Sequence, residues 1–174
     1  LDGVVLSGGE ALLNPNTKKI IEYAKNLGYK IKLDTNGTLP LLLENIINNE
    51  ETKPDFIAMD IKTSPAKYHF LLNNQNTKDK TNYQDVLVKS IKIISSYPTE
   101  NREFRTVLVP TLIKKEDIKT IAQMLPKDAV WQFAQFRNEN CLEPLYNSLT
   151  PYTDDQAKEL ILYAKTFIKA ANLR

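Results

Sequence analysis

Any chemistry in this chain of 174 residues would have to come from a few short polar clusters. The first, Ser7-Gly8-Gly9-Glu10, follows the apolar run Val4-Val5-Leu6. Two glycines let backbone amides and carbonyls approach a ligand with no Cβ in the way. The loop lacks the lysine of a phosphate cradle and the third glycine of a dinucleotide turn, and Glu10 would repel phosphate. Its natural guest therefore carries a cationic head such as an ammonium. The second cluster, Asp34-Thr35-Asn36-Gly37, sets a carboxylate ahead of a strong turn signal. In the third, Asp60-Ile61-Lys62, the two charges fall on one face of a strand and are spaced for an ion pair. If Asp34 and Asp60 end adjacent strands, both face one pocket, where a bound cation or a ligand's positive centre relieves their repulsion. Neither comes with an obvious nucleophile for acid–base work. Arg105 opens the run Thr106-Val107-Leu108-Val109, and Gln135-Phe136-Arg137 closes the series.

Other chemistries are disfavoured. An amine nucleophile at Lys62 would need a dry, apolar pocket, and Asp60 stands on its face. His69, the single histidine, has no serine, cysteine or second histidine positioned to make a triad or metal cluster and reads as structural. The single cysteine, Cys141, rules out an internal disulfide and cannot alone build a zinc or iron–sulfur site. With Lys+Arg 23 against Asp+Glu 21, the charge is too balanced for a nucleic-acid tract or a membrane-surface patch. No apolar run reaches the roughly 20 residues that span a bilayer, and the first residues lack a basic region and a cleavage site. A reducing cytosol is the expected compartment.

The elements that must position these clusters follow from periodicity. Short apolar runs alternate with longer amphipathic stretches, the signature of repeated strand–helix units. Strands are expected at Gly3 to Leu6, Lys30 to Leu33, Phe56 to Ile61, Phe104 to Val109 and Ala129 to Phe136, the last of them. Asn16 or Thr17 should cap a helix with Ile20, Ile21, Ala24 and Leu27 on one face, ending at Gly28. Further helices are expected at Leu41 to Asn49, Val86 to Ile94, Glu116 to Leu125 and Asp154 to about Ala171, the last capped by Thr153 or Asp154. Thr63 to about Tyr83 reads as a long loop with a short helix near Ala66 to Leu72, and Asn138 to Tyr152 as a second loop. Strands that each feed a helix lie parallel with right-handed crossovers, in an open doubly wound sheet or an incomplete barrel. Either way ligands gather at the C-terminal strand ends, where the polar clusters fall. The length suits a single domain, 1–174. The chain opens inside a β-branched run rather than at a Met, which predicts that it begins within a larger protein and that Val4 to Leu6 lies on a sheet edge.

In order, Ser-Gly-Gly-Glu-Ala-Leu-Leu from Ser7, Asp-Thr-Asn-Gly from Asp34, Met-Asp-Ile-Lys from Met59 and Arg-Thr-Val-Leu-Val-Pro from Arg105 resemble the strand-end motifs of radical S-adenosylmethionine enzymes that activate glycyl radical enzymes. The segments from Phe104 to Pro110, Gln132 to Arg137 and Cys141 to Pro144 resemble most the long form of the anaerobic ribonucleoside-triphosphate reductase activating protein, with pyruvate formate-lyase activating enzyme next. The resemblance implies an incomplete (β/α)6 TIM-like barrel whose first strand is missing. It implies that Gly8, Gly9 and Glu10 receive the amino group of the methionine moiety and that Asp34, Asn36 and Lys62 line the same ligand. Arg105 matches a family arginine near the sulfonium, which makes Arg105 and Lys62 the implied catalytic residues. Asp34, Thr35 and Asp60 match a monovalent-cation site of the pyruvate formate-lyase branch, which carries a histidine where this chain has Gln132 to Gln135.

The family holds a [4Fe-4S] cluster with three cysteines spaced Cys-x3-Cys-x2-Cys upstream of the Gly-Gly-Glu motif, and no such set occurs in this chain. The resemblance thus implies that the parent protein, fed by an electron donor such as flavodoxin or ferredoxin, cleaves S-adenosylmethionine reductively to a 5′-deoxyadenosyl radical that abstracts hydrogen from a glycine of its partner. The chain by itself should be inactive. A non-catalytic α/β ligand-binding domain, its strand-end residues serving only as turns and ion pairs, is the rival expectation.

Overall fold

The computed structural model describes residues 2–71 and 81–174. Among them six strands share one sheet in the order β1 (Gly3–Leu6), β2 (Lys30–Thr35), β3 (Phe56–Asp60), β4 (Arg102–Leu108), β5 (Trp131–Gln135), β6 (Ala171–Leu173). β1 on β2, β2 on β3 and β5 on β6 run parallel. The helices are α1 (Thr17–Asn26), α2 (Pro40–Ile47), α3 (Tyr83–Ile94), α4 (Lys115–Met124) and α5 (Asp154–Lys165). The expected class, parallel strand–helix units of an incomplete barrel, is the one found, and β1 is an edge strand as anticipated. The chain divides into two compact units, one of residues 2–60 and 81–104 and the other of residues 61–71 and 105–174.

In the first unit, β2 alternates cleanly. Ile31, Leu33 and Thr35 are buried on one face, and Lys30, Lys32 and Asp34 occupy the other. β3 is buried through Ile57, Ala58 and Met59. The α1 stripe is narrower than the periodicity predicts. Thr17, Ile21 and Ala24 are buried, whereas Ile20 and Leu27 are 42% and 57% exposed, because a helix on a sheet buries one line at i, i+4, i+7 and not its flanks. Nor does the expected cap form. Asn16 holds the N-cap position with helical backbone angles and makes no capping bond, while Asn14 Oδ1 accepts from the Asn16 amide and the Thr17 hydroxyl donates to the Ala11 carbonyl. α3 is capped by Asn82, whose side chain accepts from the Gln84 amide.

The second unit corrects the C-terminal reading. α5 starts as expected, with a Thr153–Gln156 capping box, but it ends at Lys165, not near Ala171, and β5 is not the last strand. The Phe167 and Ile168 amides both bond the Ala164 carbonyl, Ile168 is fully buried, and Ala171, Asn172 and Leu173 then pair with Trp131, Gln132 and Phe133. No glycine or proline lies between Thr166 and Leu173, so no local signal stops the helix. The gain comes from tertiary pairing along β5. β4 likewise starts at Arg102, three residues before Arg105. The expected short helix after β3 is a 3-10 turn, Pro65–Phe70, and a second 3-10 turn, Pro144–Ser148, interrupts the late loop. The part of the first loop from 72 to 80 lies outside the described residues.

A buried relay holds the central strands of this unit. Trp131 Nε1 donates to Thr106 Oγ1 at 3.0 Å, and Thr106 Oγ1 donates to the Ile61 carbonyl at 2.9 Å. Both side chains are essentially solvent-free. Thr106→Val keeps the shape and strands the indole N–H, so we expect a loss of about 1–3 kcal/mol, read as a lowered urea midpoint with an unchanged m-value.

Candidate functional site

Two positive-φ glycines open the first loop. Gly8 and Gly9 have φ of 95° and 52°, and a Cβ added at either meets nothing within 4 Å. The left-handed backbone demands glycine, and the space beside it stays open for a ligand to approach main-chain atoms. Glu10 then turns the chain. Its Oε1 accepts from the Leu12 amide at 3.2 Å, capping a 3-10 turn Ala11–Leu13, and from the Thr35 hydroxyl at 3.0 Å, while Oε2 accepts from the Asn36 amide at 2.6 Å. The carboxylate that the sequence offered to a cationic ligand is thus bonded to the next strand end. The loop after β1 and the loop after β2 are one structure.

That second loop is tightly specified. Asn36 Oδ1 accepts from the amide and hydroxyl of Thr38, at 2.9 and 2.6 Å. Gly37, at φ 73°, lies against Met59, whose Cε would sit 2.1 Å from an added Cβ. The Gly37 carbonyl accepts from the buried Ser90 hydroxyl of α3 at 2.7 Å. Thr35 is turned to the buried face, so its hydroxyl points away from Asp34. Asp34 pairs in register with Ala58, and the alternation of β3 puts Asp60 on the same face, one step on. Asp34 and Asp60 therefore do end adjacent strands on one face. Sequence reasoning missed the cation beside Asp34. Lys32 Nζ lies 3.9 Å from Asp34 Oδ1 and 3.1 Å from Glu103 Oε1. The i, i+2 spacing of Lys32 and Asp34 was legible in the strand; the approach of Glu103, 71 residues away, was not.

The other two candidate residues lie in the second unit. Arg105 shares a strand face with Glu103 and Val107, opposite the buried Phe104 and Thr106, and its carbonyl accepts from the Ile61 amide at 2.8 Å. Lys62 lies just past β3, where its amide donates to the hydroxyl of buried Tyr68 at 3.1 Å. The turn that follows is pinned. Thr63 Oγ1 donates to the Leu112 carbonyl, and Ser64 Oγ donates to Asp117 Oδ1, each at 2.6 Å. Lys67 Nζ and the Lys114 amide reach Asp117 Oδ2 at 2.7 and 2.9 Å. His69 packs on Phe70, with ring centroids 3.9 Å apart. Cys141 sits in the late loop, its amide bonded to Asn147.

The sequence profile of the radical SAM superfamily matches residues 1–125. The chain belongs to the radical SAM superfamily. It is 30% identical, over 99% of its own length and 70% of the relative's, to a Methanocaldococcus jannaschii protein named as a glycyl-radical enzyme activating enzyme. A second protein of that organism with the same designation is 27% identical over 72% of this chain and 46% of its own. Among solved structures, archaeal TYW1 superposes with a TM-score of 0.66 at 14% identity, covering 96% of this chain and 50% of that one. TYW1 with a lysine-pyruvate adduct bound gives 0.65 at 14%, covering 51% of that chain. At this identity the likeness is one of fold.

Membership implies S-adenosylmethionine and a [4Fe-4S] cluster. The residues present fit the first group and not the second. Gly8 and Gly9 offer open main chain where a ligand's ammonium could approach. Iron–sulfur clusters are held by thiolates, and one cysteine cannot supply the set.

Two outcomes follow. Glu10→Ala should cost roughly 1.5–3 kcal/mol and speed hydrogen exchange at the Leu12 and Asn36 amides together, since one carboxylate serves both. Asp117 titrates below the usual carboxylate value. Its burial pushes the pKa up, but the hydrogen bonds from Lys67, Ser64 and the Lys114 amide, with the Lys67 charge, outweigh it. A pKa depressed on folding gives stability that is present above the unfolded value near 3.9 and lost as pH falls through the folded one. Asp117→Asn should therefore unfold at lower urea at pH 7, by about 1–3 kcal/mol, with the gap to wild type closing as pH drops from about 4 toward 2.

Proposed function

We propose that this chain is the larger, C-terminal part of an enzyme that activates a glycyl radical enzyme, with the cluster ligands supplied outside these 174 residues. One observation carries the reading: the open left-handed Gly8-Gly9 main chain is locked by Glu10 to the end of the next strand, which makes a preformed, ligand-side ledge at the C-terminal edge of a parallel sheet. The names of both M. jannaschii relatives support the same activity.

In this proposal the Gly8 and Gly9 main chain receives the methionine ammonium, and Glu10 acts mainly by holding that main chain in place. Asp34 offers a carboxylate on the ligand side, and Asn36 braces the loop through its bonds to Thr38. Lys62 and Arg105 carry, by resemblance, the positive charges offered to the ligand, and Asp60 joins Asp34 in the acidic part of the site. S-adenosylmethionine, reduced through a cluster, supplies a 5′-deoxyadenosyl radical able to take hydrogen from a glycine. The favoured partner is an anaerobic ribonucleotide reductase, because the segments from Phe104 to Pro110 and Gln132 to Pro144 resemble that branch; pyruvate formate-lyase is the alternative.

The test uses the complete gene product, loaded anaerobically with iron and sulfide and reduced. We expect methionine and 5′-deoxyadenosine from S-adenosylmethionine, and a glycyl-radical doublet by electron paramagnetic resonance when the host's anaerobic ribonucleotide reductase is added. A doublet with pyruvate formate-lyase instead would reassign the partner and keep the chemistry. A gene product without a cysteine triplet, or no cleavage, would end the proposal.

A further inference from the structure

The sequence contains a single Asn-Gly pair, Asn36-Gly37, and it lies in the loop after β2. Such a pair carries its own reaction. The Gly37 amide nitrogen attacks the Asn36 side-chain carbonyl carbon, the new N–C bond closes a five-membered imide, and the side-chain nitrogen leaves as ammonia with the proton the attacking nitrogen gave up. Water then adds to either imide carbonyl and opens the ring to aspartate or to isoaspartate, with no change of oxidation state. Glycine favours the step because no Cβ crowds the attacking nitrogen. Ring closure has two requirements: the peptide joining the two residues must rotate, and the Gly37 N–H must lose its proton.

The fold opposes both. The Gly37 amide donates to Thr35 Oγ1 at 3.1 Å. The direction of that bond is fixed, because the Thr35 hydroxyl gives its one proton to Glu10 Oε1 at 3.0 Å and can only accept from Gly37. Deprotonating Gly37 would set an amide anion against a hydroxyl lone pair. Thr35 is 3% exposed, so water does not compete for the hydroxyl. Rotation is resisted on both sides of the peptide. The Asn36 amide donates to Glu10 Oε2 at 2.6 Å, and Asn36 Oδ1 accepts from the Thr38 amide and hydroxyl at 2.9 and 2.6 Å. The carbonyl of Gly37 accepts from the Ser90 hydroxyl at 2.7 Å, and Gly37 is itself buried against Met59. We propose that Asn36 is a latent site of spontaneous deamidation, held shut in the folded chain by the Thr35 hydroxyl, which Glu10 orients. Thr35 acts through the Gly37 amide and is a positioning residue. Isoaspartate would lengthen the main chain between the Asn36 amide and Gly37 by one methylene, so the bonds to Glu10 and Ser90 could not both survive and the ledge would come apart. Aspartate would keep acceptors for Thr38 but add a negative charge two residues from Asp34. This inference needs no ligand and does not rest on the activity proposed above.

The experiment incubates the chain at mildly alkaline pH, folded or in denaturing urea, and follows the Asn36 peptide by mass spectrometry for the change from amide to acid. Folded wild type should react at least about tenfold more slowly than the same chain in urea, because the loop must open first. Thr35→Val keeps the shape and removes the acceptor; it should speed the folded chain's reaction roughly 2- to 12-fold, the range that one lost neutral hydrogen bond gives. Thr35→Ser keeps the hydroxyl and should stay within about twofold of wild type. Ile21→Val, at a fully buried position of the same unit, lowers stability without touching the loop and should leave the Asn36 rate unchanged. If Thr35→Val does not fold, Ser90→Ala frees the Gly37 carbonyl and should give the same acceleration. Folded wild type reacting as fast as in urea would overturn the proposal, as would a Thr35→Val or Ser90→Ala chain no faster than wild type. Acceleration by Ile21→Val equal to that of Thr35→Val would also overturn it, since whole-chain unfolding and not the Thr35 bond would then set the rate.

Discussion

The Glu10 carboxylate accepts three hydrogen bonds, from the Leu12 amide, the Thr35 hydroxyl and the Asn36 amide, and the strand-end loops of the first unit are organised around it. A charged acceptor shared among three donors is worth more than any neutral bond in the loop. It converts two separate strand-end turns into one ledge. Gly8 and Gly9 hang from that ledge with their main chain exposed, and Gly37 closes its far end against Met59 under the Ser90 bond. A loop so tied gives up little further freedom when a ligand arrives, which is how preorganisation raises affinity without extra contacts.

The second unit solves a like problem with different chemistry. Lys62 follows β3 two residues past its end, and the turn after it is tied down by side chains. Tyr68 bonds its amide, Thr63 reaches the Leu112 carbonyl, and Ser64 and Lys67 converge on the nearly buried Asp117 at the start of α4. Asp117 is also the partner of the Lys114 amide, so the same carboxylate starts a helix and anchors a turn. Burying it is tolerable because every contact named here is a donor. In both units an acidic side chain that composition alone would count as a surface group is the internal tie.

Several family residues at these strand ends are thus supported by side chains from other segments of the chain. Gly8 and Gly9 depend on Thr35, Asp34 has Lys32 and Glu103 close by, and Lys62 depends on Tyr68 and Asp117. Motif residues name a cofactor class; their supports decide how firmly the geometry is held, and these differ between chains that share a fold.

Much was determined by local sequence. The alternation of β2, the apolar runs of β1 and β3 and the capping box of α5 are properties of a few neighbouring residues, and so is the need for glycine at Gly8, Gly9 and Gly37. The parallel order followed, because strands that feed helices have few other ways to pack. Tertiary structure decided what depends on partners distant in sequence. α5 stops at Lys165 and β6 forms because β5 offers an edge to Ala171–Leu173, a gain that no residue between Thr166 and Leu173 announces. Ile20 and Leu27 are exposed because a helix lying on a sheet buries one narrow line, whatever its total apolar content. Glu10, read from sequence as a ligand for an ammonium, is bonded to a strand 25 residues on, and Lys32 meets Glu103 across 71. Charges were legible as charges; which of them face each other is set by sheet register, and register is a property of paired strands, not of either strand alone.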